Sequence, residues 1–140
     1  MKEFLAFLIK CGDRCLITAH NASFDVKFLL RELIKYSILH DFEKIIVGFC
    51  DTLKLFRKKY PERKGSGICT LTALAKDFLT ESISNDQFHE TTFDVVILQE
   101  LIKQTFSFDE LLKGTVTFQM SIKNFHSNRR IIKITWIIRF

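Results

Sequence analysis

The chain has 140 residues, enough for one domain with a substantial core, and 47% of them are hydrophobic, including 15 Phe. This composition excludes an intrinsically disordered protein, which has a low apolar content. The net charge of +5 favours an anionic partner only weakly, because many basic proteins bind no nucleic acid. No apolar run approaches the roughly 18 residues that a membrane-spanning helix needs.

The first predicted element is an amphipathic helix over residues 2–10. A signal peptide is the minor alternative for this stretch, because Glu3 lies inside it and its apolar part is short. The four cysteines are Cys11, Cys15, Cys50 and Cys69. They form no C-x-x-C pair, so we expect reduced thiols and an intracellular protein, nuclear or cytoplasmic. A zinc site built from Cys50, Cys69 and a histidine would lack the usual close pairs of ligands.

A strand, a helix and a second strand come next. Residues 16–20 and 45–50 are mostly apolar, as buried parallel strands are. Between them, residues 24–36 carry valine and leucine at the spacing of a helix with one apolar face. Ser23 is the predicted cap of this helix, and Asp25 lies in its first turn, where a negative charge suits the helix dipole. This order predicts a right-handed βαβ unit and therefore the α/β class.

Further helices are predicted over residues 53–59, 71–79 and 93–102. Thr52 is the predicted cap of the helix at 53–59, which a basic loop at 61–67 follows. The helix at 93–102 is apolar nearly all round and should be largely buried, and one more turn is expected before Gly114. Beyond Gly114 we find no helical period, and the β-branched run at 131–138 predicts one or two strands.

Two polar clusters stand at the entrances of predicted helices. Residues 20–25 have the sequence His-Asn-Ala-Ser-Phe-Asp, and residues 89–94 have the sequence His-Glu-Thr-Thr-Phe-Asp. A metal-dependent phosphodiester site needs carboxylates for divalent cations and a base for water, and Asp25, Asp94 and His89 are of these types. Singly, each is better explained as a helix-start carboxylate or a surface histidine. Taken together and in this order, the two clusters favour a metal-dependent phosphodiester site over these simpler explanations.

These residues carry a resemblance to a known family. Residues 16–25 are similar to the second motif of the DEDDh 3′–5′ exonucleases of the ribonuclease H-like superfamily, and residues 89–94 are similar to the third. Residues 50–53 and 71–75 resemble the family's connecting elements, so the likeness extends over about residues 2–114. The strongest resemblance is to the exonuclease-like C-terminal domain of promyelocytic leukaemia (PML)-type proteins. It implies a partial ribonuclease H-like fold, a βαβ core with flanking helices but without the N-terminal strands.

The resemblance also implies roles for individual residues. Asp25 and Asp94 would bind Mg²⁺ or Mn²⁺, and His89 would be the general base. The family completes its metal site with Asp-x-Glu on its first strand, and this motif is expected to be absent here. Residues 41–43, Asp-Phe-Glu, have the right letters but precede a strand and follow the second motif, so we give them little weight.

Five residues are predicted to contact nucleic acid. His20 and Asn21 fall at the carboxyl end of a parallel strand, where α/β sheets place ligands, and Phe24 follows them closely. Lys58 and Lys59 belong to a basic stretch that could follow a phosphate backbone, although such a run is more often a solvated helix face. The expected partner is the 3′ end of DNA or RNA, and protein partners are also considered.

The leading hypothesis is a nucleic-acid-binding, exonuclease-like domain over residues 1–114, truncated or degenerate and inactive as an isolated chain. An atypical β-prone tail over residues 115–140 would follow it. The alternative hypothesis is a protein-interaction module of the PML type that keeps the fold and has lost the chemistry. Without the family's first strands the sheet has an open edge, and the tail either fills that edge or is unrelated to the domain.

Overall fold

The computed structural model describes residues 1–12, 14–79 and 91–127, without the side chains of residues 91 and 92, and it has mixed helical and strand structure. The helices are α1 (Lys2–Cys11), α2 (Ala22–Lys35), α3 (Leu39–Ile45), α4 (Thr52–Lys59), α5 (Leu71–Phe78), α6 (Thr91–Thr105), α7 (Phe108–Lys113) and α8 (Phe118–Ser127). The strands are β1 (Cys15–Ala19), β2 (Ile46–Asp51) and β3 (Thr115–Thr117). None of these helices is long and apolar enough to cross a membrane.

The three strands form one sheet in the order β1-β2-β3. β1 and β2 are parallel and are connected through α2 and α3, which confirms the predicted βαβ unit and α/β class. β3 pairs antiparallel with the other side of β2. Within the described ranges, β1 and β3 are therefore the two edge strands, and β3 is formed by the beginning of the tail.

The hydrophobic core consists of two clusters. The first packs α1, α2, α3 and α8 around β2, and its buried members are Leu8, Leu29, Leu30, Leu33, Phe42, Ile46, Phe49 and Phe118. The second joins α4, α5 and α6 with the segment before α7, and its buried members are Phe56, Leu74, Ala75, Ile97, Leu101 and Phe106. Full burial of each large side chain contributes about 1.5–3 kcal/mol, so these clusters fix how the helices meet the sheet.

The largest difference from the sequence analysis lies after Gly114. Of the described residues there, 115–117 form a strand and 118–127 form helix α8, so the expectation that no helical period follows Gly114 was wrong. Phe118 is buried, and Ile122 and Phe125 pack beside it, which is a helical spacing of four and seven residues. The predicted strand at residues 131–138 lies outside the described part of the chain.

Three other helices also differ from expectation. Helix α3 was not predicted, and the turn expected at the end of α6 is a separate helix, α7, which Ser107 begins with a capping box. The expectation that α6 is largely buried was wrong for one of its faces. Val95 and Val96 are about half exposed there, at 48% and 49%, while Ile97 is buried.

Candidate functional site

The carboxyl ends of β1 and β2 lie side by side. Ala19 is paired with Asp51 in the parallel ladder, so the next residues, His20 and Thr52, are neighbours. The His20 Nδ1 atom lies 3.0 Å from the Thr52 hydroxyl oxygen, and its Nε2 atom lies 2.7 Å from the carbonyl oxygen of Cys69. His20 therefore joins both strand ends to the loop that precedes α5.

These partners determine the protonation of His20. A carbonyl oxygen only accepts, so Nε2 carries a proton and donates to Cys69. In the neutral ring Nδ1 accepts the single hydroxyl proton of Thr52, for which the carbonyl oxygen of Ala19, 3.3 Å away, competes. Burial lowers the pKa of His20 below its ordinary value; the Cys69 carbonyl and Asp51 raise it, and the Arg57 charge lowers it. Burial has the largest effect, so the neutral imidazole is the favoured form.

A second connection at this edge is made by the Asp51 carboxylate, which is 9% exposed. Its Oδ1 atom accepts the backbone N–H of Asn21 at 3.0 Å and that of Leu53 at 3.1 Å. Asp51 is thus the N-cap of α4, and Asn21, in the left-handed conformation with φ 65°, occupies the N-cap position of α2. The predicted caps Ser23 and Thr52 were therefore wrong, because each helix begins earlier than expected.

Two of the predicted site residues, Phe24 and Asp25, lie in the first turn of α2, directly after this junction. Phe24 is 51% exposed, and Asp25 is partly buried in the same turn. Asp94 is also partly buried and lies in the first turn of α6, as predicted. The predicted general base, His89, lies outside the described residues.

The two predicted lysine contacts have different surroundings. The Lys59 Nζ atom lies 2.5 Å from the carbonyl oxygen of Thr105 and 2.9 Å from a carboxylate oxygen of Glu110, and it also stacks over the Phe106 ring at 5.1 Å. Lys58 is exposed and makes no ion pair with the residues the structure describes. Lys59 is thus held by the protein, whereas Lys58 is available to an anion.

The cysteines are free thiols, as predicted. Burial, together with the neighbouring Asp51 carboxylate, raises the pKa of the Cys50 thiol to about 11, so it is protonated at neutral pH. Cys69 is also buried, and its carbonyl group holds His20. The side chains described by the structure include no group of three His, Cys, Asp or Glu residues that could hold a metal ion. Among these side chains, Cys50 and Cys69 therefore form no zinc site with a histidine.

The letters Asp-x-Glu at residues 41–43 lie in helix α3, not in a strand. Positions two apart on a helix are separated by about 200°, so the two carboxylates diverge. Asp41 forms an exposed pair with Lys44 at 3.7 Å, and the partly buried Glu43 lies 3.7 Å from His40, both within the helix. This agrees with the little weight that the sequence analysis gave to the segment.

Asp51 and Cys69, which both organise this site, were not singled out from the sequence. The argument that singled out His20, a polar residue at the carboxyl end of a predicted strand, applies equally to Asp51 after residues 45–50. No such signal marks Cys69, because its contact with His20 uses a backbone carbonyl 49 residues away in sequence.

Comparison with known proteins assigns the chain to a family. A sequence model of exonucleases, RNase T, matches residues 2–102. Over 89 residues the chain is 39% identical to the PolC-type DNA polymerase III of Streptococcus pyogenes serotype M5 (strain Manfredo), and equally to that of serotype M1. The aligned region covers 64% of this chain and only 5% of each polymerase, and no solved structure matches. Since the exonuclease model matches well over half of its residues, the chain belongs to the exonuclease family.

Proposed function

We propose that the chain is a 3′–5′ exonuclease-like, nucleic-acid-binding domain of the DEDDh type. The observation that carries the proposal is the junction at the carboxyl ends of β1 and β2, where only two residues separate β1 from α2. Parallel sheets bind their ligands at this edge, and the turn that leaves it carries Phe24 and Asp25. The exonuclease family match and the similarity to a DNA polymerase support nucleic acid as the substrate class.

In this proposal Asp25 and Asp94 are ligands of a divalent metal ion, Mg²⁺ or Mn²⁺. Their side chains supply the hard oxygen donors that these ions prefer, and Mg²⁺ is commonly held by one or two carboxylates together with water and substrate phosphate. Two carboxylates suit one weakly held ion better than a two-ion site. When bound, such an ion stabilises negative charge at the phosphate. His89 is assigned the general base.

The nucleic-acid contacts are proposed for the same edge of the sheet. Phe24 offers an exposed aromatic ring for stacking on a base, which contributes about 1–3 kcal/mol in single-strand binding. Lys58, which makes no ion pair within the described ranges, offers its charge to a phosphate, while Lys59 would have to leave Glu110 to do so. His20 and Asn21 are also proposed to contact nucleic acid, because a nucleic-acid strand bound at this edge would meet the junction that they form.

The proposal describes an incomplete or degenerate domain over residues 1–114 that is inactive as an isolated chain. The sequence carries the letters Asp-x-Glu once, at residues 41–43, and they lie in α3. A strand that carried this motif and paired with β1 would supply the further carboxylates. Because the period along a strand is two, both would lie on one face.

Metal binding tests the first part of the proposal. We expect Mn²⁺ to bind weakly and Asp25→Ala to abolish that binding, as measured by titration with electron paramagnetic resonance detection. Asp41→Ala removes an exposed carboxylate remote from the junction and is the matched control. Tight binding of two ions, or binding that survives Asp25→Ala, would contradict the assignment.

Nuclease assays test the second part. We expect no degradation of a single-stranded oligonucleotide from its 3′ end by the isolated chain with Mg²⁺ or Mn²⁺, because removing members of a catalytic unit removes most of the rate. A fusion that places a family-like Asp-x-Glu strand ahead of Met1 should restore turnover, and Asp25→Ala should remove it. If the unfused chain is active, and if Asp94→Asn and His89→Ala each abolish that activity, the proposal that the isolated chain is inactive is contradicted. A folded fusion without activity would contradict the metal-site assignment.

The second candidate is a protein-interaction module of the PML type without catalysis. The resemblance to PML-type proteins is what supports it. Phe7 and Ile9 are each 59% exposed on α1, but they lie two positions apart, about 200° around the helix, and so form no joint contact surface. An inactive fusion, together with an oligonucleotide affinity that Phe24→Ala and Lys58→Ala leave unchanged, would favour this candidate over the exonuclease-like one.

A further inference from the structure

One carboxylate oxygen connects the beginnings of two helices at the candidate site. Asp51 is the last residue of β2, and its Oδ1 atom accepts N–H groups from Asn21 and from Leu53. The N–H of Leu53 belongs to the first turn of α4, so this bond is an ordinary N-cap. The N–H of Asn21 belongs to the other strand's helix, 30 residues away in sequence, so this bond is not part of any local motif.

The bond to Asn21 lies at the sharpest turn of the chain near the site. β1 ends at Ala19 and α2 begins at Ala22, so His20 and Asn21 alone redirect the chain. Asn21 adopts the left-handed conformation, and its own side chain makes no capping bond to α2. The conformation needs support from elsewhere, and the charged acceptor at 3.0 Å supplies it.

The hydrogen bond that holds Asn21 also affects the residues that follow it in α2. Because a helix is rigid over its first turns, the orientation of Asn21 sets where Phe24 and Asp25 lie relative to the strand ends. The His20 bonds to Thr52 and Cys69 hold the preceding residue at the same junction. The hydrogen bond from Asn21 to Asp51 is therefore a direct link between β2 and the residue that precedes α2.

We propose that Asp51 is a positioning residue of the candidate site: its carboxylate oxygen holds the N–H of Asn21 and thereby sets the place of the Asp25 carboxylate. It acts through the backbone and does not bind the metal itself. The part of this inference that concerns metal rests on the proposed function, whereas the part that concerns the placement of α2 does not.

Three substitutions of Asp51 separate the possible roles. Asp51→Asn keeps an oxygen that can accept both N–H groups and removes the charge. Asp51→Ser keeps a good N-cap for α4, but its short side chain cannot reach across to Asn21. Asp51→Ala removes both bonds. Asp41→Asn, at an exposed carboxylate on α3, controls for the loss of one negative charge.

The first measurement is amide hydrogen exchange, which reports local opening without any metal. In Asp51→Ser we expect about tenfold faster exchange over residues 21–26 than in the wild type, with little change over residues 53–56 and in α7. In Asp51→Ala both of the first two segments should exchange faster, whereas Asp51→Asn should stay within about threefold of the wild type. Uniformly faster exchange that includes α7, or equal effects of Asp51→Asn and Asp51→Ala, would overturn the proposal.

The second measurement is Mn²⁺ affinity. We expect Asp51→Asn to bind Mn²⁺ as the wild type does, and Asp51→Ser to bind about fivefold or more weakly, because its α2 carries a misplaced Asp25. If Asp51→Asn loses Mn²⁺ as completely as Asp25→Ala does, Asp51 is itself a ligand and the positioning role is wrong. A wild-type chain that binds no Mn²⁺ would refute the proposed metal site, while the exchange measurement would still decide the placement of α2.

Discussion

Replacing Gly48 with alanine is expected to displace β3 from the sheet. Gly48 is buried in β2 and lies opposite Thr117 in the β2–β3 ladder. A Cβ atom added there would overlap the carbonyl oxygen of Val116 and would lie 2.7 Å from Cγ2 of Thr115 and 3.0 Å from Cα of Thr117. Two of these three atoms belong to the backbone of β3, so a side-chain rotation cannot relieve the overlap and the strand must shift.

The expected loss of stability follows from two contributions. Overpacking costs about 1–3 kcal/mol where neighbours adjust, and each ladder hydrogen bond that is lost adds about 1 kcal/mol. We therefore expect a decrease in the free energy of unfolding of roughly 2–4 kcal/mol. The shift would be passed on to α8, because Phe118 directly follows β3 and packs on Phe49 with ring centroids 5.8 Å apart.

Urea denaturation followed by circular dichroism measures this loss, with Gly114→Ala as the matched control. A Cβ atom at Gly114 would lie 2.5 Å from a methyl group of Leu55, but that atom is the end of a flexible side chain that can move. We expect this control to cost less than about 1 kcal/mol. Equal midpoints for Gly48→Ala and the wild type, or a larger loss for Gly114→Ala, would refute the argument that β3 and α8 are part of the folded domain.

Two further predictions concern the site. Because the pKa of His20 is lowered by burial, the unfolded chain takes up a proton at this ring more readily, and stability should fall as the pH decreases below about 6.5. Urea midpoints at about pH 7.5 and about pH 5.5 measure this, and a His20→Gln variant that keeps the full pH dependence would contradict it. Lys59→Ala should lower the urea midpoint, whereas Lys58→Ala should leave it unchanged and weaken oligonucleotide binding in fluorescence anisotropy. Equal effects of the two lysine substitutions in both assays would show that the ion pair with Glu110 does not separate them.

Local patterns in the sequence predicted the parts of the fold that depend on neighbouring residues. The apolar runs at 16–20 and 45–50 and the helix between them were sufficient for the βαβ unit, because burial on both faces leaves a continuous apolar signal. The helical period of α8 was missed because Ser121 occupies a buried position in it. Its hydroxyl donates to the carbonyl oxygen of Thr117 at 3.0 Å, so a polar residue is accommodated inside the apolar face.

The contacts that organise the site could not be predicted in this way. His20 meets Cys69, and Asn21 meets Asp51, across 49 and 30 residues of chain. Spacing along a helix or strand carries no information about which loop folds over which strand end. The clusters at 20–25 and 89–94 were recognised as polar residues at helix entrances, but the partners that fix the first cluster lie in other elements.

The two edge strands of the described sheet differ in length and chemistry. β3 forms one edge with three residues, and β1 forms the other edge with five, so β1 offers the longer edge for a further strand. β1 consists of apolar and small residues and carries neither the charge nor the proline that often keeps an edge from pairing. A further strand at this edge would end next to His20, where α2 begins. The edge of β1 and the junction residues His20 and Asn21 therefore lie at one place, and any strand bound there would add its own side chains beside them.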